Sequence, residues 1–190
     1  MSGSRWAVDP PGERDDPPAD PEQVARTILL RRLEAAPRTR AQLATTLRER
    51  NVPDDVAQRV LDRFEEVGLI DDRAFACMWV ESRQRGRRLA GRALRSELRS
   101  KGVCEPFIDE ALALVSPEDE LAAAREVAAR KARSVVGLPR VTQVRRLSGA
   151  LARKGYGPGL TAQVIREALT DAHEQCGPPG AGAADPGAGI

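Results

Sequence analysis

The sequence predicts an all-α protein made of three tandem three-helix repeats that form an elongated, curved array. Three segments of similar pattern align without gaps, starting at Leu43, Leu94 and Leu147, so the offsets are 51 and 53 residues. In each segment two leucines lie four residues apart, which is a helical spacing. No apolar and polar alternation is long enough for a strand, and alanine, arginine and leucine favour helix.

The first helix of each repeat is indicated by its capping residues. Each start combines a residue with a short polar side chain, which accepts hydrogen bonds from free backbone amides, with proline or acidic residues that suit a first turn. These starts are Asp20-Pro21, Asp71-Asp72 and Ser116-Pro117, the last resembling a capping box. Thr39 with Gln42 offers a further N-cap inside the first repeat.

The second and third helices are separated in each repeat by a predicted left-handed residue. Asparagine and glycine tolerate that conformation, and an apolar residue usually follows them. The three pairs are Asn51-Val52, Gly102-Val103 and Gly155-Tyr156. Proline or acidic residues then predict the start of the third helix, at Pro53, Glu105 and Pro158.

These signals predict repeats at about residues 21–70, 71–115 and 116–173. An acidic, proline-rich tail at 1–20 and a tail of small residues at 174–190 are predicted to be disordered, because neither buries enough apolar surface to offset its ordering entropy. Units of about 50 residues are marginal alone. Neighbouring repeats are therefore expected to lean on one another, as in other repeat proteins.

Positive charge is concentrated in the second and third repeats, although the net charge of the 190 residues is only +2. Between Arg83 and Lys101 there are seven arginines and one lysine against Glu97 alone. If the second helix of this repeat runs from about Leu89 to Lys101, it places four arginines on one side, the first of them just before Leu89, and is anchored by Ala90, Leu94 and Leu98. We name these four the predicted stripe: Arg88, Arg92, Arg95 and Arg99.

An unrelieved row of guanidinium groups favours a polyanion or an acidic protein surface as partner. On the corresponding helix of the third repeat, Val144, Leu147 and Leu151 are expected to form the apolar stripe that faces the core. A second basic group on the remaining surface of this helix is expected to support the predicted stripe. We name it the third-repeat set: Arg140, Arg145, Arg146, Arg153 and Lys154. The other predicted binding residues are Arg83, Arg85, Arg87 and Lys101. Since all these side chains are expected on the surface, reversing the charge of the predicted stripe is expected to leave stability nearly unchanged.

The sequence contains none of the common signatures of an enzyme. Cys77, Cys104 and Cys176 lack the spacing of a zinc site or disulfide framework and are interpreted as reduced, mostly buried residues. His173 is the only histidine, and no phosphate loop or nucleophile elbow is present. We therefore predict no catalytic, cofactor or metal site. Without an apolar span or a signal sequence, a cytoplasmic monomer is expected.

The segment "GLIDDRAFACMWVESRQRGRRLAGRALRSELRSKGV", Gly68 to Val103, resembles the signature of RecX regulatory proteins, and "RRLSGALARKGY", Arg145 to Tyr156, is similar to the helix of that family's third repeat. The resemblance covers about 150 residues. It implies a modulator of the RecA recombinase that docks in the groove of the RecA filament on DNA. There it would restrain ATP hydrolysis, strand exchange and filament growth, with only weak binding to DNA of any sequence.

A DNA-binding transcriptional regulator of the helix-turn-helix class is the alternative. Residues 38–64 contain two short helices around a tight turn, as that motif requires. However, Asp54, Asp55 and Asp62 lie on or near the helix that would enter the major groove, where phosphates would repel them. A clear preference between DNA sites would distinguish this class from a filament modulator.

Overall fold

Residues 20–174 are described by the computed structural model, and within them the protein consists of nine α-helices without a β-strand. The helices are α1 Pro21–Ala35, α2 Arg40–Glu49, α3 Asp54–Glu66, α4 Asp72–Arg87, α5 Gly91–Ser100, α6 Glu105–Ala113, α7 Pro117–Arg133, α8 Arg140–Arg153 and α9 Pro158–Glu174. The all-α prediction is confirmed. The predicted tails lie outside the described residues, apart from Asp20, which caps α1, and Glu174, which ends α9.

The caps inferred from sequence are present. The Thr39 hydroxyl accepts from the Gln42 amide at 3.2 Å while the Gln42 side chain accepts from the Thr39 amide, a complete capping box. At the start of α7 the Ser116 hydroxyl accepts from the Asp119 amide and donates to the Asp119 carboxylate. Each repeat also has its left-handed residue, with φ of 57° at Asn51, 79° at Gly102 and 89° at Gly155.

Helices α1, α2 and α3 form the first compact unit, which ends at Ile70. Its core is aliphatic, with Leu29, Leu43, Leu47 and Leu61 fully buried. Burying one leucine side chain stabilises the fold by roughly 1.5–3 kcal/mol, so this leucine set is the main source of stability in the unit. Arg40, at the start of α2, bonds to Asp62 and Glu65 of α3 at 2.6 Å each and ties the two helices together at the surface.

The second compact unit begins at Asp71 and contains two three-helix groups with separate cores. Phe75, Leu94, Leu98 and Ile108 form the core of α4, α5 and α6. The core of α7, α8 and α9 is built on Leu147, Leu151, Val127 and Val164. Leu94 and Leu98 correspond to Leu147 and Leu151 in the repeat alignment, so the two groups use equivalent positions for their cores.

The connection between α4 and α5 joins the two groups of the second unit. Ala90 is 1% exposed and belongs to the core of α7, α8 and α9 rather than to its own repeat. Its amide donates to the Lys154 carbonyl at 2.9 Å, and the Tyr156 hydroxyl donates to the Arg88 carbonyl at 2.8 Å. A hydrogen bond of this kind contributes about 1 kcal/mol, so the second and third repeats are held together by backbone groups as well as by apolar contact.

Three expectations from sequence are corrected by the structure. Val144, placed in the core stripe, is 38% exposed, because Leu147 and Leu151 alone face the core from α8. The cysteines are not mostly buried: Cys77 is half-buried and Cys104, which precedes α6, is exposed, while Cys176 lies outside the described residues. The predicted α5 start at Leu89 is two residues too early, since Ala90 has an extended backbone and precedes the first helical residue, Gly91.

Between Asp20 and Glu174 no helix has both the length and the apolar character needed to cross a bilayer.

Candidate functional site

The predicted stripe does not lie on a single helix. Arg88 is the C-cap of α4 and has a left-handed backbone with φ 51°, so it lies in the connection before α5. The prediction that α5 carries all four arginines is therefore wrong for Arg88. Its guanidinium pairs with Glu126 of α7, across the junction of the second and third repeats.

Two further arginines of the predicted stripe are paired with the next helix. Arg95 bonds to Glu105 at 2.7 Å and to Asp109 at 2.6 Å, and Arg99 bonds to Glu105. These bonds, to Asp109 first and then to Glu105, raise the pKa of Arg95. The bond from Arg99, with a smaller effect from Arg95, lowers the pKa of Glu105. Because α5 and α6 meet here, these carboxylates relieve the repulsion along α5.

The basic residues around Trp79 also have partners within the second repeat. Arg83 bonds to Glu97 at 3.2 Å and lies 4.0 Å from the centre of the Trp79 ring, a cation–π distance. The Lys101 ammonium lies 4.0 Å from the same ring, and the Trp79 indole donates to Glu97 at 2.9 Å. Arg85 pairs with Glu81 on α4 at 2.5 Å. The cations in this part of the predicted site are thus already paired with groups of the second repeat.

Among the predicted binding residues, the exposed arginines without an ion-pair partner in the described part of the chain lie mainly in the third-repeat set. They are Arg140, Arg145, Arg146 and Arg153 of α8, together with Arg92 of α5 and Arg87 of α4. Arg140 has one long hydrogen bond, to the Leu169 carbonyl at 3.5 Å. Among the predicted binding residues, the set expected to play the supporting part thus presents most of the guanidinium groups that are available to a partner.

Lys154 differs from the rest of the third-repeat set because it is a junction residue. Its ammonium donates to the Arg87 carbonyl, across the contact between repeats. Burial, and then the positive charges of Arg130, Arg88 and Arg87, lower its pKa. Three arginines thus surround a half-buried lysine at this edge of the second unit.

Sequence reasoning missed Glu105, Asp109 and Glu126 as the partners of the arginines. A sequence signal exists for Glu105, since an acidic residue in the first turn of the helix following a basic helix can reach back across the turn. The Arg88–Glu126 pair, separated by 38 residues, has no such local signal.

The first unit contains the helix-turn-helix geometry of the alternative, with α3 in the position of a recognition helix. That helix exposes Asp54, Asp55 and Asp62, and Arg40 is occupied by Asp62 and Glu65. A helix with this charge is repelled by a DNA groove. The residues described here also contain no cluster of histidine, cysteine or carboxylate groups suited to a metal ion.

The fold and this surface define the class: an all-α protein of tandem three-helix repeats whose second unit is basic. Family models for the first, second and third three-helix domains of RecX match residues 25–64, 71–112 and 118–165. The chain belongs to the RecX family, and the resemblance inferred from sequence is confirmed.

Relatives named regulatory protein RecX support this assignment. The protein of Streptomyces coelicolor is 52% identical over 162 residues, covering 85% of this chain and 86% of the relative. That of Thermobifida fusca is 50% identical, covering 82% and 88%. A crystal structure of regulatory protein RecX is 26% identical and superposes with a TM-score of 0.71, covering 78% of this chain and 73% of that chain. RecX from Lactobacillus salivarius, at 18% identity and a TM-score of 0.73 over 80% and 99%, shares the fold.

Proposed function

We propose that this protein is a non-enzymatic modulator of the RecA recombinase. It docks as a cytoplasmic monomer in the groove of the RecA–DNA filament and restrains ATP hydrolysis, strand exchange and filament growth. Membership of the RecX family supports the choice of RecA. The observation that carries the binding mode is the group of exposed arginines on α8 that has no carboxylate partner among the side chains described, those of residues 20–171.

Unpaired guanidinium groups are the ones available for binding. They can grip carboxylates or phosphates in a bidentate way without first breaking an internal bond. Arg95 and Arg99 would have to leave Glu105 before engaging a partner, so their contribution is smaller. The four arginines of the third-repeat set, with Arg92, therefore provide the main contacts, and the remaining predicted residues form the margin of the site.

Through these arginines the protein contacts adjacent subunits of the filament at the same time. A protein that contacts two neighbouring subunits, or one subunit and the DNA backbone, opposes the relative motion that couples ATP hydrolysis to strand exchange. Binding to DNA alone is weak and similar for all sequences, because an exposed basic surface contacts phosphates rather than base edges. Each phosphate contact releases counterions, so any DNA contribution weakens steeply with salt.

The test is titration of the full chain into RecA hydrolysing ATP on single-stranded DNA at two salt concentrations. We expect inhibition by the unaltered protein and a large loss of inhibition by the variant R145E/R146E/R153E, because three unpaired cations become anions. The folded state should be retained, since all three side chains are exposed and lack ion-pair partners among the described residues.

The matched control is R31E/R48E/R50E, which makes the same charge change at exposed arginines of the first unit that also lack ion pairs within the described part of the chain. It should keep most of the inhibition. Equal inhibition by the two triple variants would show that the α8 arginines are not the binding residues. Absence of inhibition by the unaltered protein at both salt concentrations would reject RecA as the target.

A further inference from the structure

The third repeat has a groove of about 550 Å³ between α8 and α9 that no residue of the described chain fills. Its floor combines Val144, Ser148 and Ala152 of α8 with Thr161, Ala162 and Ile165 of α9. The α8 residues are spaced four apart and point along one side of the helix. Val144 and Ala152 are exposed. Val144 thus lines the groove instead of joining the core, where the sequence predicted it.

Three arginines surround the groove, and no carboxylate lines it. Arg140 and Arg166 lie at the end where α8 begins, close to Leu169, whose carbonyl accepts from Arg140. Arg92 of the second repeat lies at the opposite end, beside Tyr156 and Pro158. All three are exposed and form no ion pair among the residues described, so both ends of an apolar floor present unpaired positive charge.

The dimensions match a short helix. From Arg140 to Ala152 the groove follows α8 for roughly 18 Å, at about 1.5 Å per residue, which is the length of a helix of about three turns. The side chains of Ser148, Ala152 and Ala162 are short, so a helix can approach closely between α8 and α9. A helix carrying apolar residues at i, i+4 and i+7 would cover this floor.

The charge and polarity of the groove together favour a protein segment over a nucleic acid as its ligand. The floor offers hydroxyl groups only at Ser148 and Thr161, whereas Val144, Ala152, Ala162 and Ile165 offer apolar contact. A phosphate backbone laid along such a floor loses hydration and gains only the two hydroxyl donors in return. An amphipathic helix with acidic residues at its two ends can pack its apolar side on the floor while its carboxylates pair with the three arginines.

We propose that this groove binds an acidic amphipathic helix of the partner protein. The inference rests on the proposed function in one respect, which is that the helix is sought on RecA. Its acidic ends pair with Arg92 at one end of the groove and with Arg140 and Arg166 at the other, and its apolar side packs on α8 and α9. The groove is thus a separate contact from Arg145, Arg146 and Arg153.

The direct experiment places the photo-crosslinking residue p-benzoylphenylalanine at Ser148 of the full chain and irradiates it with RecA filaments on DNA. Mass spectrometry of the product should identify a RecA helix with acidic residues at both ends. A crosslink to DNA, a crosslink to a segment that is not an acidic helix, or no crosslink from a chain that still inhibits the ATPase would each overturn the proposal.

Two variants test the groove without crosslinking. Ala152→Trp fills the floor at an exposed position and leaves all charges unchanged, whereas R92E/R140E/R166E reverses the charge at both ends. Each should raise the concentration needed for half-inhibition about tenfold or more, as expected for central contacts of an interface. R31E/R48E/R50E again serves as the charge-matched control, and circular dichroism establishes that each variant is folded.

The outcomes separate the two proposals. If the unaltered protein inhibits RecA and a folded Ala152→Trp variant inhibits equally well, the groove proposal fails while the proposed function stands. If R92E/R140E/R166E loses inhibition but Ala152→Trp does not, the arginines act without the apolar floor, and the helix is rejected as occupant. If the unaltered protein does not inhibit RecA, both proposals fail.

Discussion

Gly155 is fixed by two independent constraints. Its φ of 89° lies in the left-handed region, and a Cβ built on it would stand 2.6 Å from the amide nitrogen of Ala93 and 2.7 Å from the Ala93 Cβ. Real Cβ atoms do not approach other atoms so closely, and the obstacle is backbone of α5 rather than a flexible side chain. The residue is therefore part of the contact between the second and third repeats as well as the C-terminal cap of α8.

Gly155→Ala should destabilise the second unit substantially. The left-handed conformation alone costs an alanine about 1–2 kcal/mol, and the overlap with Ala93 adds to it because the two repeats must separate slightly. The measurement is the free energy of unfolding from urea denaturation followed by circular dichroism.

The control for this prediction is Gly137→Ala. Gly137 has a similar φ of 82°, but nothing lies within 4 Å of a Cβ placed there, so the variant bears only the conformational penalty. Equal losses in the two variants would mean that the close approach to Ala93 has no energetic effect.

Arg88 shows where prediction from sequence fails at the level of a residue. Its spacing from Arg92 fits a helix, and nothing local indicates a left-handed backbone at an arginine. The conformation is stabilised by distant residues: the Arg88 carbonyl accepts from Tyr156, 68 positions away, and burial raises the pKa of that phenol to about 12, so it remains a donor into alkaline pH. Helical periodicity contains no information about such a bond.

At the scale of the helix, ion pairs join α5 to α6, so α5 does not present a free basic surface. This replaces the expectation that the predicted stripe can be reversed without loss of stability. Reversing Arg95 would bring its new carboxylate against Glu105 and Asp109, to which the arginine now bonds. A loss of RecA inhibition in a variant of the whole stripe would therefore mix weaker binding with weaker folding.

Glu105→Gln should lower stability at neutral pH and have a diminishing effect in acid. The bond from Arg99, followed by that from Arg95, lowers the pKa of Glu105 below its ordinary value of 4.5. A carboxyl group with a depressed folded pKa stabilises the protein above the ordinary value, and this contribution is lost as the pH falls through the folded pKa. Urea denaturation at a series of pH values from 7 downwards measures the difference between the two proteins.

Glu49→Gln is the matched control, because Glu49 is exposed and forms no ion pair among the described residues. Its stability should differ little from that of the unaltered protein at any pH in the series. A Glu105→Gln gap that stays constant from neutral pH into acid would contradict the role assigned to the pairs with Arg95 and Arg99.

The helices themselves were largely predictable, and their side-chain partners were not. Asp20, Thr39, Asp71 and Ser116 cap helices where the sequence indicates, because capping depends on neighbours within three residues. The start of α5 was missed because Ala90 continues an apolar pattern, yet its side chain belongs to the core of another repeat. Ion pairs between helices depend on packing angles, which periodicity does not specify.

On the scale of the whole molecule, the chain divides after Ile70 into two compact units, the first with one core and the second with two. Within the second unit, the two three-helix groups share Ala90, the Arg88–Glu126 pair and the bonds of Lys154 and Tyr156. Repeats joined in this way are expected to unfold together, since neither core is complete without the connection.

A fragment of residues 71–190 should fold on its own and unfold in one transition. The sequence contains two tryptophans, and Trp79 is the only one in this fragment, so its fluorescence reports on the second repeat while circular dichroism reports on all the helices. The two signals should give the same urea midpoint. Separate midpoints would show that the second and third repeats are independent, and a fragment without helical signal would show that the first unit is required.

The contacts that the third repeat makes with the connection between α4 and α5 have a mechanical consequence. In an isolated three-helix bundle this connection would be a hinge at which force along the chain separates α4 from the other helices, but here Tyr156, Lys154 and Glu126 of the third repeat bind it. Force applied to α4 is therefore borne by two bundles in parallel, and the connection separates only when the contacts in both bundles break.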